Sequence, residues 1–154
     1  MALNLPTGYV FTPTDEELVV FYLKRKIEGE ALPADIITTL DVYSLSPEEL
    51  PPPGDRYLKD NERYFFTTER TGNVLPTKNG YYAINNSEPE PIFHKNQLVG
   101  FKKELPFYHG QSPNGTQSDW TVYEYSVAAS HQNNQETSKK MPKLVACKFY
   151  RPKD

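Results

Sequence analysis

Apolar positions follow two different rhythms along this chain. Near the N-terminus, Leu18, Val19, Tyr22, Leu23 and Ile27 recur at helical spacing and form one apolar face. Ahead of them, Thr14-Asp15-Glu16-Glu17 reads as a capping box, in which the threonine hydroxyl accepts a backbone N–H and Glu17 reaches back to the cap. Three acids then sit at the positive end of the helix dipole and Lys24-Arg25-Lys26 near its negative end, with Gly29 as the stop. This predicts a helix from Thr14 to Gly29 with Leu23 in the core. The plain reading of the basic trio is dipole compensation on a solvated face. A second, shorter helix is predicted from Ser46-Pro47-Glu48-Glu49, and Pro51-Pro52-Pro53 ends it at once.

From Glu62 onward the period changes. Residues 62–68, 80–84, 99–108, 119–127 and 144–151 are rich in aromatic and β-branched side chains. Turn signals separate the segments, among them Thr71-Gly72-Asn73, Lys78-Asn79-Gly80 and Pro113-Asn114-Gly115. Strands in succession after the helices, without βα alternation, predict an α+β, mainly β fold: a twisted antiparallel β-sheet flanked by an N-terminal helix and short helices. Trp120 opens an alternation with Val122 and Glu124 and is expected in the core. Cys147, in Val145-Ala146-Cys147-Lys148-Phe149, is expected to be a packed thiol. The polar stretch at about 128–143 reads as a mobile loop within a single domain covering residues 1–154.

Charge narrows the choice of partner. The net charge is −3, but residues 1–50 carry three basic and nine acidic residues, whereas residues 51–103 carry eight and six. A protein that grips duplex DNA mainly by neutralising phosphates shows a basic stripe, and here that bias is faint. No apolar run reaches the roughly 18 residues of a membrane helix, so no membrane partner is expected. The start lacks the basic and apolar regions of a secretory signal, and one cysteine excludes an internal disulfide.

Enzyme chemistry has no visible seat. His94, His109 and His131 stand far apart, without neighbouring cysteines or carboxylates at metal-ligand spacing. No phosphate-binding glycine loop or nucleophile elbow occurs. The expectation is a protein that is not an enzyme and has no cofactor, metal or small-molecule substrate.

Five ordered blocks give a specific resemblance. Leu5-Pro6-Thr7-Gly8-Tyr9-Val10-Phe11-Thr12-Pro13-Thr14-Asp15-Glu16-Glu17-Leu18 is similar to L-P-P-G-F-R-F-H-P-T-D-E-E-L. Tyr64-Phe65-Phe66 resembles W-Y-F-F, and Val99-Gly100-Phe101-Lys102-Lys103 resembles V-G-I-K-K. Phe107-Tyr108-His109-Gly110 and Asp119-Trp120-Thr121-Val122-Tyr123-Glu124-Tyr125 follow in the same manner. Together they identify the chain as resembling the NAC family of plant transcription factors over nearly its whole length. The resemblance implies a nuclear regulator of transcription that dimerises through its N-terminal strand and pushes a β-strand into the DNA major groove. It places Leu5, Pro6, Gly8, Tyr9, Val10 and Glu17 at the dimer interface.

The departures are chemically pointed. Where the family reads G-Y-W-K-A-T-G-K-D, this chain has Gly80-Tyr81-Tyr82-Ala83-Ile84-Asn85-Asn86-Ser87-Glu88, and G-K-A-P-K becomes Gly110-Gln111-Ser112-Pro113-Asn114. Four cations are thereby replaced, at Ala83, Ser87, Gln111 and Asn114. Each lost phosphate contact lowers the salt slope by about 0.9. Candidate DNA-contacting residues that remain are Lys78, Tyr82, Asn85, Asn86, Lys95, Lys102 and Lys103, with Arg63 and Arg70 nearby in sequence. Asn85-Asn86 has two readings, a bidentate contact to adenine or a turn. Lys102-Lys103 likewise reads as a groove contact or as a solvated strand face.

At the implied interface, the family's arginine in G-F-R-F pairs with the last glutamate of D-E-E. Here Val10 replaces that arginine, while Glu17 remains. The expectation is a NAC-type regulator with weak or redirected duplex-DNA binding, as a homodimer or paired with another NAC protein. The alternative is an interaction module that does not bind DNA and antagonises the NAC proteins it pairs with.

Overall fold

A computed structural model describes residues 11–34, 36–51, 61–70, 72–83, 88–128 and 143–152. The predicted N-terminal helix is present as three consecutive pieces: α1 (Asp15–Glu17), a π-helical run (Leu18–Leu23) and α2 (Lys24–Ile27). The Glu17 N–H donates to the Thr14 hydroxyl (3.1 Å) and the Thr14 N–H donates to Glu17 Oε1 (2.8 Å), closing the capping box. The wider π turn brings Leu18, Val19, Tyr22 and Leu23 onto one buried face. Gly29 (φ +74°) ends the helix, its N–H bonding the Lys26 carbonyl and the Glu30 N–H bonding that of Arg25. These two bonds form a Schellman motif.

The remaining elements, in chain order, are β1 (Thr38–Thr39), 3-10 turns at Val42–Ser44 and Pro47–Glu49, β2 (Glu62–Thr68), β3 (Val74–Pro76), β4 (Gly80–Ala83), β5 (Glu90–His94), β6 (Gln97–His109), β7 (Thr116–Val127) and β8 (Leu144–Tyr150). The sheet order is β1-β2-β8-β7-β6-β4-β3, with β5 also paired to β6. Among the described strands all pairings but one are antiparallel, as expected; β1 runs parallel to β2, with Thr38 opposite Phe65. The 40–61 stretch supplies the long crossover that a parallel pair needs. The predicted second helix is only a three-residue 3-10 turn, stopped by the prolines that follow it. Most of the 128–143 segment lies outside the described residues.

Both faces of the sheet are covered. On one side, Tyr64, Phe66, Tyr125, Val127 and Ala146 pack under Phe11, Leu18, Val19, Tyr22 and Leu23. On the other, Phe65, Leu105, Phe107, Trp120, Val122, Val145, Cys147 and Phe149 pack under Val42, Tyr43 and Leu50. Leu23 and Trp120 are core residues as expected, and Cys147 is a fully buried thiol. The helix can lie this close because residue 100 is glycine. A Cβ there would meet the Ser126 carbonyl oxygen at 2.3 Å and Val19 Cγ1 at 3.0 Å.

Candidate nucleic-acid interface

The strand implied to enter DNA begins as β4. Its lead-in turn carries Lys78, exposed, between Thr77 and Gly80, whose backbones are joined by a 2.7 Å bond from the Thr77 N–H to the Gly80 carbonyl. The turn is seated on the 3-10 segment: Ser46 Oγ lies 2.6 Å from Thr77 Oγ1 and accepts the Asn79 N–H at 3.3 Å. Tyr82 corrects one expectation. Its side chain is wholly buried, packed against Tyr43, Phe107 and Phe149, and its hydroxyl donates to the Leu45 carbonyl at 2.7 Å. Burial pushes that hydroxyl's pKa well up. With both sheet faces covered, alternation along β4 sends Tyr82 inward and leaves it no surface to offer a ligand. Asn85 and Asn86 lie outside the described residues.

Lys102 and Lys103 are neighbours in sequence but point to opposite faces of β6. Lys102 Nζ sits 3.1 Å from Asp15 Oδ2 and over the Tyr123 and Tyr125 rings at 4.7 and 5.8 Å. The Tyr125 hydroxyl donates to Asp15 Oδ1 at 2.8 Å, so Asp15 links the helix start to two strands. This role goes beyond that of an acid at the helix N-terminus. Lys103 Nζ lies 3.7 Å from Glu124 Oε2 and 4.0 Å from Glu69 Oε2. Lys95 is exposed in the two-residue turn between β5 and β6, where Lys95 (φ 52°) and Asn96 (φ 65°) form a type I′ turn. That turn lies at the far end of β6 from Lys78. The candidate lysines are therefore not gathered into one patch: two are held by carboxylates and two stand at opposite ends of the sheet.

Of the candidate dimer residues, Leu5, Pro6, Gly8, Tyr9 and Val10 lie outside the described residues. Glu17 is exposed at the edge of a cleft of about 320 Å³ lined by Phe11, Thr12, Pro13, Phe21, Tyr22 and Pro33.

A cluster that sequence reasoning did not assemble surrounds Trp120. The guanidinium carbons of Arg63 and Arg151 lie 5.7 and 5.0 Å from its ring centroid. These residues come from three strands or strand ends, and no local pattern joins them. Among the described residues no cluster of His, Cys, Asp or Glu is arranged to hold a metal. No described helix is long and apolar enough to cross a membrane. Cys147 lies 3.3 Å from the Tyr43 hydroxyl, and burial pushes its thiol away from the reactive thiolate.

Residues 6–127 match the family model described as No apical meristem (NAM) protein. The chain belongs to this family of NAC-domain proteins. It is 35% identical to NAC domain-containing protein 1 of Solanum lycopersicum, over 98% of this chain and 55% of the relative. It is 42% identical to NAC domain-containing protein 41 of Arabidopsis thaliana, over 86% of this chain and 49% of the relative. With NAC transcription factor 56 of Arabidopsis thaliana the identity is 37%, over 96% and 44%. The chain spans about half the length of these curated relatives. Within this NAC domain the family match takes in the helix and strands β1 to β7, while β8 and Arg151 follow it.

Proposed function

We propose that this NAC domain serves a nuclear transcription regulator whose grip on duplex DNA is weaker than, or redirected from, that of a lysine-rich relative. The observation that carries the reading is the engagement of Lys102 and Lys103 by Asp15, Glu124 and Glu69. With Ala83, Gln111 and Asn114 neutral, Lys78 is the candidate cation left beside β4. Phosphate contacts supply affinity and base contacts supply specificity, so loss of the former weakens binding to every sequence alike. The test is titration of a duplex carrying the family's core site at two salt concentrations. Micromolar or weaker binding with a shallow salt slope is expected; nanomolar binding at physiological salt with a steep slope would refute it.

A second reading is a module that acts by pairing with other NAC proteins. It is favoured by the Glu17 cleft, whose aromatic and proline walls and exposed carboxylate suit an arginine side chain from a partner. Val10 supplies no such arginine in a homodimer.

A further inference from the structure

Ser46, at the N-cap of the Pro47–Glu49 turn, is wholly buried. Its hydroxyl closes a directed chain of hydrogen bonds on the turn that carries Lys78. The Asn79 N–H donates to Ser46 Oγ at 3.3 Å, Ser46 Oγ lies 2.6 Å from Thr77 Oγ1, and Thr77 Oγ1 donates to the Gly80 carbonyl at 3.2 Å. A backbone N–H only donates and a carbonyl only accepts, so both hydroxyl protons are assigned. Thr77 gives its proton to Gly80, and Ser46 gives its own to Thr77. Each bond in such a chain polarises the next. Thr77, Asn79 and Gly80 belong to the turn itself; Ser46 is the member that ties it to another part of the chain.

The seat is itself anchored. The Ser46 N–H donates to Glu49 Oε1 at 2.9 Å, and the preceding Leu45 carbonyl accepts the Tyr82 hydroxyl at 2.7 Å. Glu48 Oε2 lies 2.9 Å from His109 Nε2 at the end of β6. From the other side, the Gly110 N–H donates to the Asn79 carbonyl at 3.2 Å. Gly80 lies so close to β6 that a Cβ there would meet the Tyr108 carbonyl oxygen at 2.0 Å. The backbone on both sides of Lys78 is thereby held, while the lysine itself stands exposed. Binding immobilises a long side chain at an entropic cost, and a fixed backbone beneath it keeps loop ordering from adding to that cost.

We propose that Ser46 is a positioning residue for nucleic-acid binding: through Thr77 and Asn79 it fixes the point from which Lys78 meets a phosphate of duplex DNA. The proposal rests on the reading of Lys78 as a phosphate contact. Ser46 is buried, so its effect passes through the turn and not through any contact of its own with the duplex. A functional site of this kind depends on the shell that supports it as much as on the side chain that touches the ligand.

A double-mutant cycle tests this. Binding of a short, labelled random-sequence DNA duplex is measured by anisotropy at several low salt concentrations for the parent, Ser46→Ala, Lys78→Gln and the double variant. Thermal melts establish that each is folded. Lys78→Gln should lower the magnitude of the salt slope by about 0.9. Ser46→Ala should weaken binding roughly two- to ten-fold and add no further loss once Lys78 is replaced. Thr77→Ala, at a half-buried position, breaks the same chain and should reproduce Ser46→Ala, and it carries the test where Ser46→Ala does not fold. Thr77→Ser keeps the hydroxyl and should bind like the parent. Parental binding by the folded alanine variants, or equal losses with and without Lys78, overturns the role of Ser46 and leaves Lys78 as a phosphate contact. An unaltered slope in Lys78→Gln overturns that contact and the role of Ser46 with it. Absence of binding to the duplex at low salt overturns the DNA-facing reading on which both rest.

Discussion

The Tyr43 hydroxyl donates to Glu124 Oε1 across 2.6 Å, deep between the 3-10 segment and the sheet. Burial raises the Glu124 carboxyl pKa above its ordinary value, with the Tyr43 bond and Lys103 pulling the other way. The bond anchors the Val42–Ser44 turn to β7, and the same tyrosine packs edge-on against Tyr82.

Two outcomes are expected from this contact. Tyr43→Phe leaves a buried carboxylate short of a donor and should cost roughly 1.5–3 kcal/mol in denaturant unfolding. A carboxyl whose folded-state pKa is raised contributes stability below its unfolded value, about 4.5, and loses that contribution as pH rises through the folded value. The stability advantage of the parent over Glu124→Gln should therefore shrink as pH rises from about 4.5 toward neutrality. Parallel pH curves would remove titration of Glu124 from the account.

Leu23 and Trp120 test the two cores separately. Leu23 is fully buried under the helix and Trp120 is 6% exposed on the opposite sheet face. Leu23→Ala and Trp120→Ala should each cost roughly 2–5 kcal/mol in chemical denaturation. A variant that unfolded like the parent would show that its core does not depend on that side chain.

Two glycines should fail for different reasons. Gly29→Ala has open space around its Cβ but a backbone at φ +74°, so its cost should be the roughly 1–2 kcal/mol of left-handed strain. Gly100→Ala has ordinary backbone but clashes with Ser126 and Val19, and overpacking of this kind costs roughly 1–3 kcal/mol. Val19→Ala leaves the closer clash, with the Ser126 carbonyl, in place, so the cost of Gly100→Ala should persist in a Val19→Ala background, as read from melting temperatures of the double variant.

Restoring cations should restore affinity. Ala83→Lys combined with Gln111→Lys and Asn114→Lys should tighten binding to specific and random duplexes alike. Three new phosphate contacts would steepen the salt slope by up to about 2.7. Unchanged binding by filter or anisotropy assay would show that these positions do not approach the DNA backbone.

Position 10 tests partner choice. In the pairing proposed above, two copies of this chain would leave both Glu17 carboxylates without the family's arginine, whereas an arginine-bearing relative would leave one. At a few tenths to 1 kcal/mol per exposed pair, the mixed dimer should be preferred roughly two- to five-fold. Val10→Arg should erase that preference when homodimer and mixed-dimer constants are measured side by side. An unchanged ratio would move the regulatory contact to another surface.

Local rules made the helix legible from end to end, since the Thr14 box and the Gly29 stop are built from side chains and backbone within one turn. Strand β2 was read with its observed bounds because Tyr64, Phe65 and Phe66 form an unbroken aromatic run. The short β1 and β3 carry too few residues for a pattern and exist through pairing with longer neighbours, whereas β5, longer than β4, was hidden by Pro91 and by having one buried residue, Ile92. Tyr82 became a candidate through its place in the strand that the resemblance sends into the groove, whereas its burial follows from the cover on both sheet faces, a property of the whole fold. The engagement of Lys102 by Asp15 and the meeting of Arg63, Trp120 and Arg151 are likewise long-range facts, invisible to spacing along the chain.

Tyr125 holds the first turn of the helix through Asp15, and its neighbour Glu124 holds the opposite layer through Tyr43. A single peptide unit thus pins both coats of the sheet. Displacing the helix start pulls on the same backbone link that fixes the Val42–Ser44 turn, which in turn steadies Ser46 and the Lys78 hairpin. The helix start and the Lys78 hairpin are thus geared together by adjacent residues of one strand.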